Sequence, residues 1–247
     1  MSEPQPDPVD ILAFAPHPDD AELCAGGLLL KARNAGQRVV VVDMTQGEAG
    51  TRGTPETRAA EAQKASEMLG LVARDNLRLP DARVSETLDA IEAATRAIRT
   101  WRPRIVLSPC REDRHPDHIA CAEIVRRAYY GATIGKGPGG PHPAHRPDAL
   151  IQYFGHLEPT PSFVVDISDV WEERLELAAC FASQVASESG TPKTNIGSPD
   201  FEHRVWARFA YWGSRIGTKY GEPYLVDRVM PVDDPVAVFR KRGWAVL

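Results

Sequence analysis

At 247 residues, with 43% hydrophobic and 26% charged side chains, the chain is long enough for one sizeable core and has the composition of a soluble globular protein. A net charge of −5 removes the electrostatic case for nucleic acid or an anionic membrane as a partner. No apolar run approaches the roughly 18 residues needed to span a bilayer, and Cys24, Cys110, Cys121 and Cys180 form no Cys-x-x-Cys pair, so free thiols in a cytoplasmic protein are predicted.

Met1–Asp10 is polar and proline-rich, which predicts a disordered or extended tail over residues 1–9 and no secretory signal before the first strand. Ile11–Ala15, short and apolar between turn residues, reads as a buried strand. Glu22–Ala35 has helical composition and stops at Asn34-Ala35-Gly36. Arg38–Met44 holds the run Val39-Val40-Val41-Val42, typical of a strand covered on both faces. Pro55–Leu69 predicts a helix closed by Gly70, and Asn76–Leu79 a third strand. Ser85–Trp101 predicts a helix stopped before Pro103, and Ile105–Ser108 a fourth strand followed by a helix to about Tyr130. Gly131–Pro147, dense in glycine and proline, is expected as a rim element of a binding crevice or a subunit contact. Ala149–Phe154 and Phe163–Asp166 read as strands and Val170–Ser183 and Asp200–Ile216 as helices, with an irregular segment over 217–247. The β-α alternation predicts one domain over 1–247, an α/β fold with a mostly parallel sheet and helices on both faces.

Two clusters punctuate this pattern: His17-Pro18-Asp19-Asp20-Ala21-Glu22 after the first strand and His115-Pro116-Asp117-His118 after the fourth. If the sheet begins in the order 3-2-1-4, both follow neighbouring strands at the switch point where open α/β sheets bind ligands. A catalytic zinc site takes three His or carboxylate ligands and keeps one position for water. His17, Asp20 and one histidine of the second cluster supply such a set, leaving Asp19, the other histidine and Asp117 for proton transfer and orientation. A plainer reading makes Asp19-Asp20-Ala21-Glu22 a capping box and His115-Pro116 a helix start. Capping accounts for one acid but not for three histidines. The remaining His142, His145, His156 and His203 follow no pattern and are expected on the surface or in the core.

Ala15-Pro16-His17-Pro18-Asp19-Asp20-Ala21-Glu22 with Gly26-Gly27, followed by His115-Pro116-Asp117-His118, resembles the LmbE-like (PIG-L) zinc-dependent N-deacetylases over roughly residues 10–125. The resemblance implies a Rossmann-like fold, Zn2+ as cofactor and removal of acetyl from an N-acetylglucosamine unit. It implies His17, Asp20 and His118 as metal ligands and Asp19 as general base. His115, oriented by Asp117, would stabilise the oxyanion as a positively charged donor and protonate the leaving amine. Gly47–Thr54, Leu79-Pro80-Asp81, Ser183-Gln184 and Gly217–Tyr224 are similar to the bacillithiol-pathway deacetylases, which act on N-acetylglucosaminyl-malate. That narrower resemblance implies Glu48, Arg58 and Asp81 in the sugar site and a homo-oligomer. Cys24 stands where the family has glycine and Tyr224 where it has phenylalanine. Two malate carboxylates call for arginines, and Arg52, Arg111 and Arg114 are the candidates. The alternatives are another N-acetylglucosamine conjugate, a metal-dependent phosphoesterase, a non-catalytic sugar- or nucleotide-binding module, or Fe2+ on the same ligands.

Overall fold

A computed structural model describes residues 5–239 apart from 138, 187–191, 193, 195 and 199. Strands β1 (Ile11–Ala15) and β2 (Val39–Asp43) are buried at every position, as their uninterrupted apolar runs require. Ile11, Ala13 and Ala15 with Val39 and Val41 face one core, whereas Leu12 and Phe14 with Val40 and Val42 face a second core on the other side of the sheet. The period of two is thus present twice over, once for each face.

The other strands are β3 (Ala73–Asn76), β4 (Ile105–Pro109), β5 (Ala149–Tyr153), β6 (Phe163–Asp166) and β7 (Gly221–Val226). They form one seven-stranded sheet in the order β3-β2-β1-β4-β5-β7-β6, in which β1 to β5 pair in parallel and β7 runs against both neighbours. The expected 3-2-1-4 start is present. Helices α1 (Asp20–Asn34), α2 (Pro55–Leu69), α5 (Trp171–Ala179) and α7 (Phe201–Ile216) contribute residues to the first core, and α3 (Leu88–Trp101) and α4 (Pro116–Ala132) to the second. Two single-turn helices, α6 (Ala182–Val185) and α8 (Pro235–Val238), complete the described elements.

Four expectations need correction. The third strand lies earlier than predicted, because Leu77 and Leu79 pack as a loop on the second core while polar Ala73–Asn76 pairs with β2. Residues after Gly217 are not all irregular: β7 is inserted between β5 and β6, and the Glu222 carboxylate accepts from the main-chain N–H groups of Gly27 and Leu28 in α1. The helix over Val170–Ser183 is interrupted at Cys180-Phe181. The described residues of the Gly131–Pro147 segment line neither cavity beyond the ends of β1 and β4. It follows the far end of α4, a 17-residue helix about 25 Å long, where buried Arg99 donates to the carbonyls of Gly131, Ala132 and Ile134. Residues 5–9 lie against the body, with Val9 buried and its N–H bonded to Trp101 O.

Candidate active site and metal centre

Pairing of β1 with β4 sets the β1–α1 and β4–α4 loops side by side beyond the carboxyl ends of the strands. The result is a group of three ligand-type side chains from two distant segments: His17, Asp20 and His118. Asp20 Oδ2 is 3.0 Å from His17 Nδ1 and 3.3 Å from His118 Nε2. Ligand atoms on a tetrahedral ion with bonds of about 2.0–2.1 Å stand about 3.3 Å apart, so the set fits a small divalent cation with little movement. The charges are those of a metal-free site. Burial opposes the imidazolium of His118, but Asp20 and Asp113 outweigh it and push its pKa up to about 9. His17 is likewise raised well above the usual value, against burial, by Asp117, Asp20 and Asp81. Asp20 is held well below the carboxylate range by His118 and His17, although burial works the other way.

Each imidazole is held from behind by a carboxylate. His17 Nε2 lies 3.1 Å from Asp81 Oδ1 and 3.3 Å from Asp117 Oδ2. His118 Nδ1 lies 3.2 Å from Asp113 Oδ2. Asp113 also accepts from the His115 N–H (2.9 Å), the His156 N–H (2.9 Å) and His156 Nδ1 (2.9 Å). These hydrogen bonds outweigh burial and depress its pKa, so the carboxylate is ionised and can only accept. The Nδ1 atoms of His118 and His156 must therefore carry hydrogens, which leaves His118 Nε2 as the atom that could meet a metal. Gly155 makes room for this hub, since a Cβ there would overlap Asp113 Oδ2 and come within 2.9 Å of His118 Nδ1. Neither Asp113 nor His156 was singled out in the sequence. Asp113 lies five residues before His118, and only the fold brings His156 across from the end of β5.

Asp19 does not cap α1. Its backbone sits at φ 155°, its side chain makes no cap hydrogen bond, and Arg58 Nη2 lies 3.0 Å from its carboxylate. A non-glycine residue at such a φ costs of order 1–3 kcal/mol and persists only where its surroundings over-determine it. Burial pushes the Asp19 pKa up to about 7, against the lowering effect of Arg58. Arg58 is itself buried and also donates to Pro18 O at 2.9 Å. Glu22 points away from the helix end into a buried ion pair with Arg74, which it shares with Asp43.

The expected charge pairing of Asp117 with His115 is not formed. The Asp117 carboxylate accepts from the N–H groups of Ala82 and Val84 and faces His17. Only its main-chain N–H reaches His115, donating to Nδ1 at 3.2 Å as α4 begins at Pro116. An Nδ1 that accepts carries no hydrogen, so His115 is a neutral imidazole with its hydrogen on Nε2. Burial and the neighbouring charges of His118 and His17 lower its pKa, in keeping with that state. The helix-start reading of His115 thus holds, and the same residue lines a cavity beside the three-ligand group.

Two cavities meet at this centre. One, of about 260 Å3, is lined by His17, Asp19, Arg58, Asp81, His115 and the Ala49–Thr51 loop, among others. The second, of about 310 Å3, has Leu23, Cys24, Val205 and Phe209 with Arg114, Glu158 and Arg208. Asp20, His118 and His156 belong to both. Glu48 is exposed and accepts from the Asp81 N–H, tying two loops together. Arg52 turns away from both cavities to donate to the carbonyls of Pro192 and Ala186. Arg111 is half exposed and faces Asp227 at 3.5 Å. Cys24 borders the second cavity with a thiol whose pKa is raised by burial, whereas Cys110 is buried.

The family profile described as PIG-L, GlcNAc-PI de-N-acetylase, matches residues 12–129, which span both loops of the centre. A conserved protein of solved structure from Thermus thermophilus is 34% identical, with a TM-score of 0.82 over 91% of this chain and 98% of that one. The chain belongs to the PIG-L family. A diacetylchitobiose deacetylase from Thermococcus kodakarensis is 27% identical over 90% of this chain and 84% of its own length. A 4-carboxy-2-hydroxymuconate hydratase from Pseudomonas putida shares the fold with a TM-score of 0.75 at 19% identity, covering 91% of this chain and 99% of that one. The fold alone therefore does not fix the reaction, and the site must. No helix among the described residues is long and apolar enough to cross a membrane.

Proposed function

We propose that this PIG-L family member is a zinc-dependent de-N-acetylase that hydrolyses the acetamide of an N-acetylglucosamine conjugate. The observation that carries the reading is Asp19, a buried carboxylate held 3.0 Å from Arg58 directly beside a three-ligand metal group. A carboxylate fixed next to the metal position is placed to take a proton from water there. Bound zinc would supply Lewis acidity toward the acetamide carbonyl and a water acidified towards neutrality; Fe2+ suits the same two-histidine, one-carboxylate set.

The chain's own groups do the rest. Asp19 takes a proton as water attacks the acetyl carbon and passes it to the amine nitrogen as the carbon–nitrogen bond breaks, giving acetate and a free amine. Arg58 keeps that carboxylate aimed from 3.0 Å. His115 offers its Nε2–H to the carbonyl oxygen as negative charge builds there, a neutral donor rather than a cation. Asp113 and Asp117 hold His118 and His17 in their ligating orientations. N-acetylglucosaminyl-malate, the bacillithiol precursor, is the conjugate we favour. Arg114, exposed on the second cavity with no carboxylate partner among the described residues, is suited to its acid groups.

The test is release of free amine from N-acetylglucosaminyl-malate and from plain N-acetylglucosamine glycosides by zinc-loaded protein, with a chelated sample and Asp19→Asn alongside. Chelator-sensitive release that Asp19→Asn abolishes while keeping its zinc is the expected result. Release from other conjugates but not the malate one would remove the bacillithiol assignment. No release from any would overturn the deacetylase reading.

A further inference from the structure

His156 is the one imidazole of the centre that the reaction above does not use. Its position is nonetheless built. The main-chain N–H and Nδ1 both donate to Asp113, at 2.9 Å each, so the ring is fixed at two points. It lies parallel to the His115 ring, with centroids 6.2 Å apart and planes at 15°, and 5.1 Å from the His118 ring. Its side chain is 24% exposed and borders both cavities. With Nδ1 committed to Asp113, Nε2 is the polar atom left for the cavity side, and no described residue bonds to it.

The neighbouring imidazoles divide the work by their hydrogens. His118 keeps its Nδ1–H on Asp113, so Nε2 is the nitrogen it can bare to the metal position on losing a proton. His115 presents Nε2–H because its Nδ1 accepts from Asp117 N–H. His156 repeats the His118 arrangement on the same carboxylate and lines both cavities. Its Nε2 is therefore suited to a group that gives a hydrogen bond.

We infer that His156 is a specificity-determining residue whose Nε2 hydrogen-bonds the hydroxyl adjacent to the reacting amide. This rests on the proposed reading of the substrate as a 2-acetamido sugar. There the carbons flanking the acetamide are C1 and C3, and in a conjugate the C1 oxygen is substituted, which leaves the 3-hydroxyl. A hydroxyl both donates and accepts, so it meets Nε2 whichever way that nitrogen is protonated. A buried site built to bond a hydroxyl also rejects the analogue lacking it.

The experiment is a cycle of two substrates and three proteins, all zinc-loaded: wild type, His156→Ala and His156→Gln, each on an N-acetylglucosamine glycoside and its 3-deoxy analogue. Wild type is expected to lose about tenfold in kcat/KM on the 3-deoxy compound. His156→Ala should lose the same factor on the parent, mostly in KM, and almost nothing further on the analogue. His156→Gln, whose amide reaches the Nε2 position, should recover much of the loss. Zinc content and the affinity for the amine product, measured by calorimetry with each sugar, give readouts besides turnover. Equal losses on both substrates, or loss of zinc in His156→Ala, would overturn the inference and leave His156 as a support for Asp113. If wild type releases amine from neither sugar, the deacetylase reading fails first and this assignment falls with it.

Discussion

Asp113 carries the sharpest consequence of the geometry. Its two oxygens accept four hydrogens: Oδ1 those of His115 N and His156 Nδ1, Oδ2 those of His118 Nδ1 and His156 N. Asp113→Asn keeps the shape but turns one of the two edges into a donor, so two of the four bonds become donor against donor. Hydrogen bonds to a charged group contribute about 1.5–3 kcal/mol each, and losing two costs at least about 3 kcal/mol. In a chain of this size, where each kcal/mol moves Tm by about 2–4 °C, that is a fall of roughly 6–12 °C. With the amide NH2 on the Oδ2 side, His118 is driven to move its hydrogen to Nε2, the atom required by the metal. Loss of such a supporting carboxylate typically lowers metal affinity 10- to 100-fold, about 1.4–2.7 kcal/mol. The assay is zinc competition against a chromophoric chelator near neutral pH, with circular dichroism to verify the fold. Zinc affinity within twofold of wild type in a folded Asp113→Asn protein would refute the argument that Asp113 sets the His118 tautomer.

Zinc uptake should release protons. In the metal-free site His118 titrates at about 9 and His17 is raised well above the usual histidine value, so both are charged at neutral pH and both must give up a proton to ligate. Affinity should therefore rise with pH through the neutral range, and calorimetry in buffers of different ionisation enthalpy should report about two protons per ion at pH 7. A buffer-independent enthalpy would contradict the assigned charges. Arg58→Gln removes the positive charge that lowers the Asp19 pKa. The acid limb of the kcat/KM–pH profile should then move to higher pH. An unshifted limb would mean that Asp19 is not the titrating base.

The periodicity of the apolar residues was sufficient for the parallel strands β1, β2, β4 and β5. The tetravaline run, the Gly70 stop and the alternation of strands with helices determined a parallel α/β sheet, because burial on one or both faces must appear in the order of the side chains. The two histidine clusters were equally legible, since residue spacing within a turn constrains which side chains can share an ion. What the sequence could not carry was anything dependent on where distant backbone comes to rest. Strand β7 reads as a tail because its pairing partners, β5 and β6, stand well before it in the chain. The polar third strand is stabilised by its ladder to β2 rather than by apolar side chains of its own. Direction of bonding was hidden too: Asp117 and His115 are neighbours but one in sequence, yet the start of α4 turns the carboxylate to His17 and leaves only a main-chain N–H for His115. Asp113 and His156 lie 43 residues apart and meet only because β4 and β5 pair in register and Gly155 leaves room for a carboxylate. Local patterning thus determined most of the elements and the two histidine clusters, while tertiary packing decided the hydrogen positions on three imidazoles, on which the proposed chemistry depends.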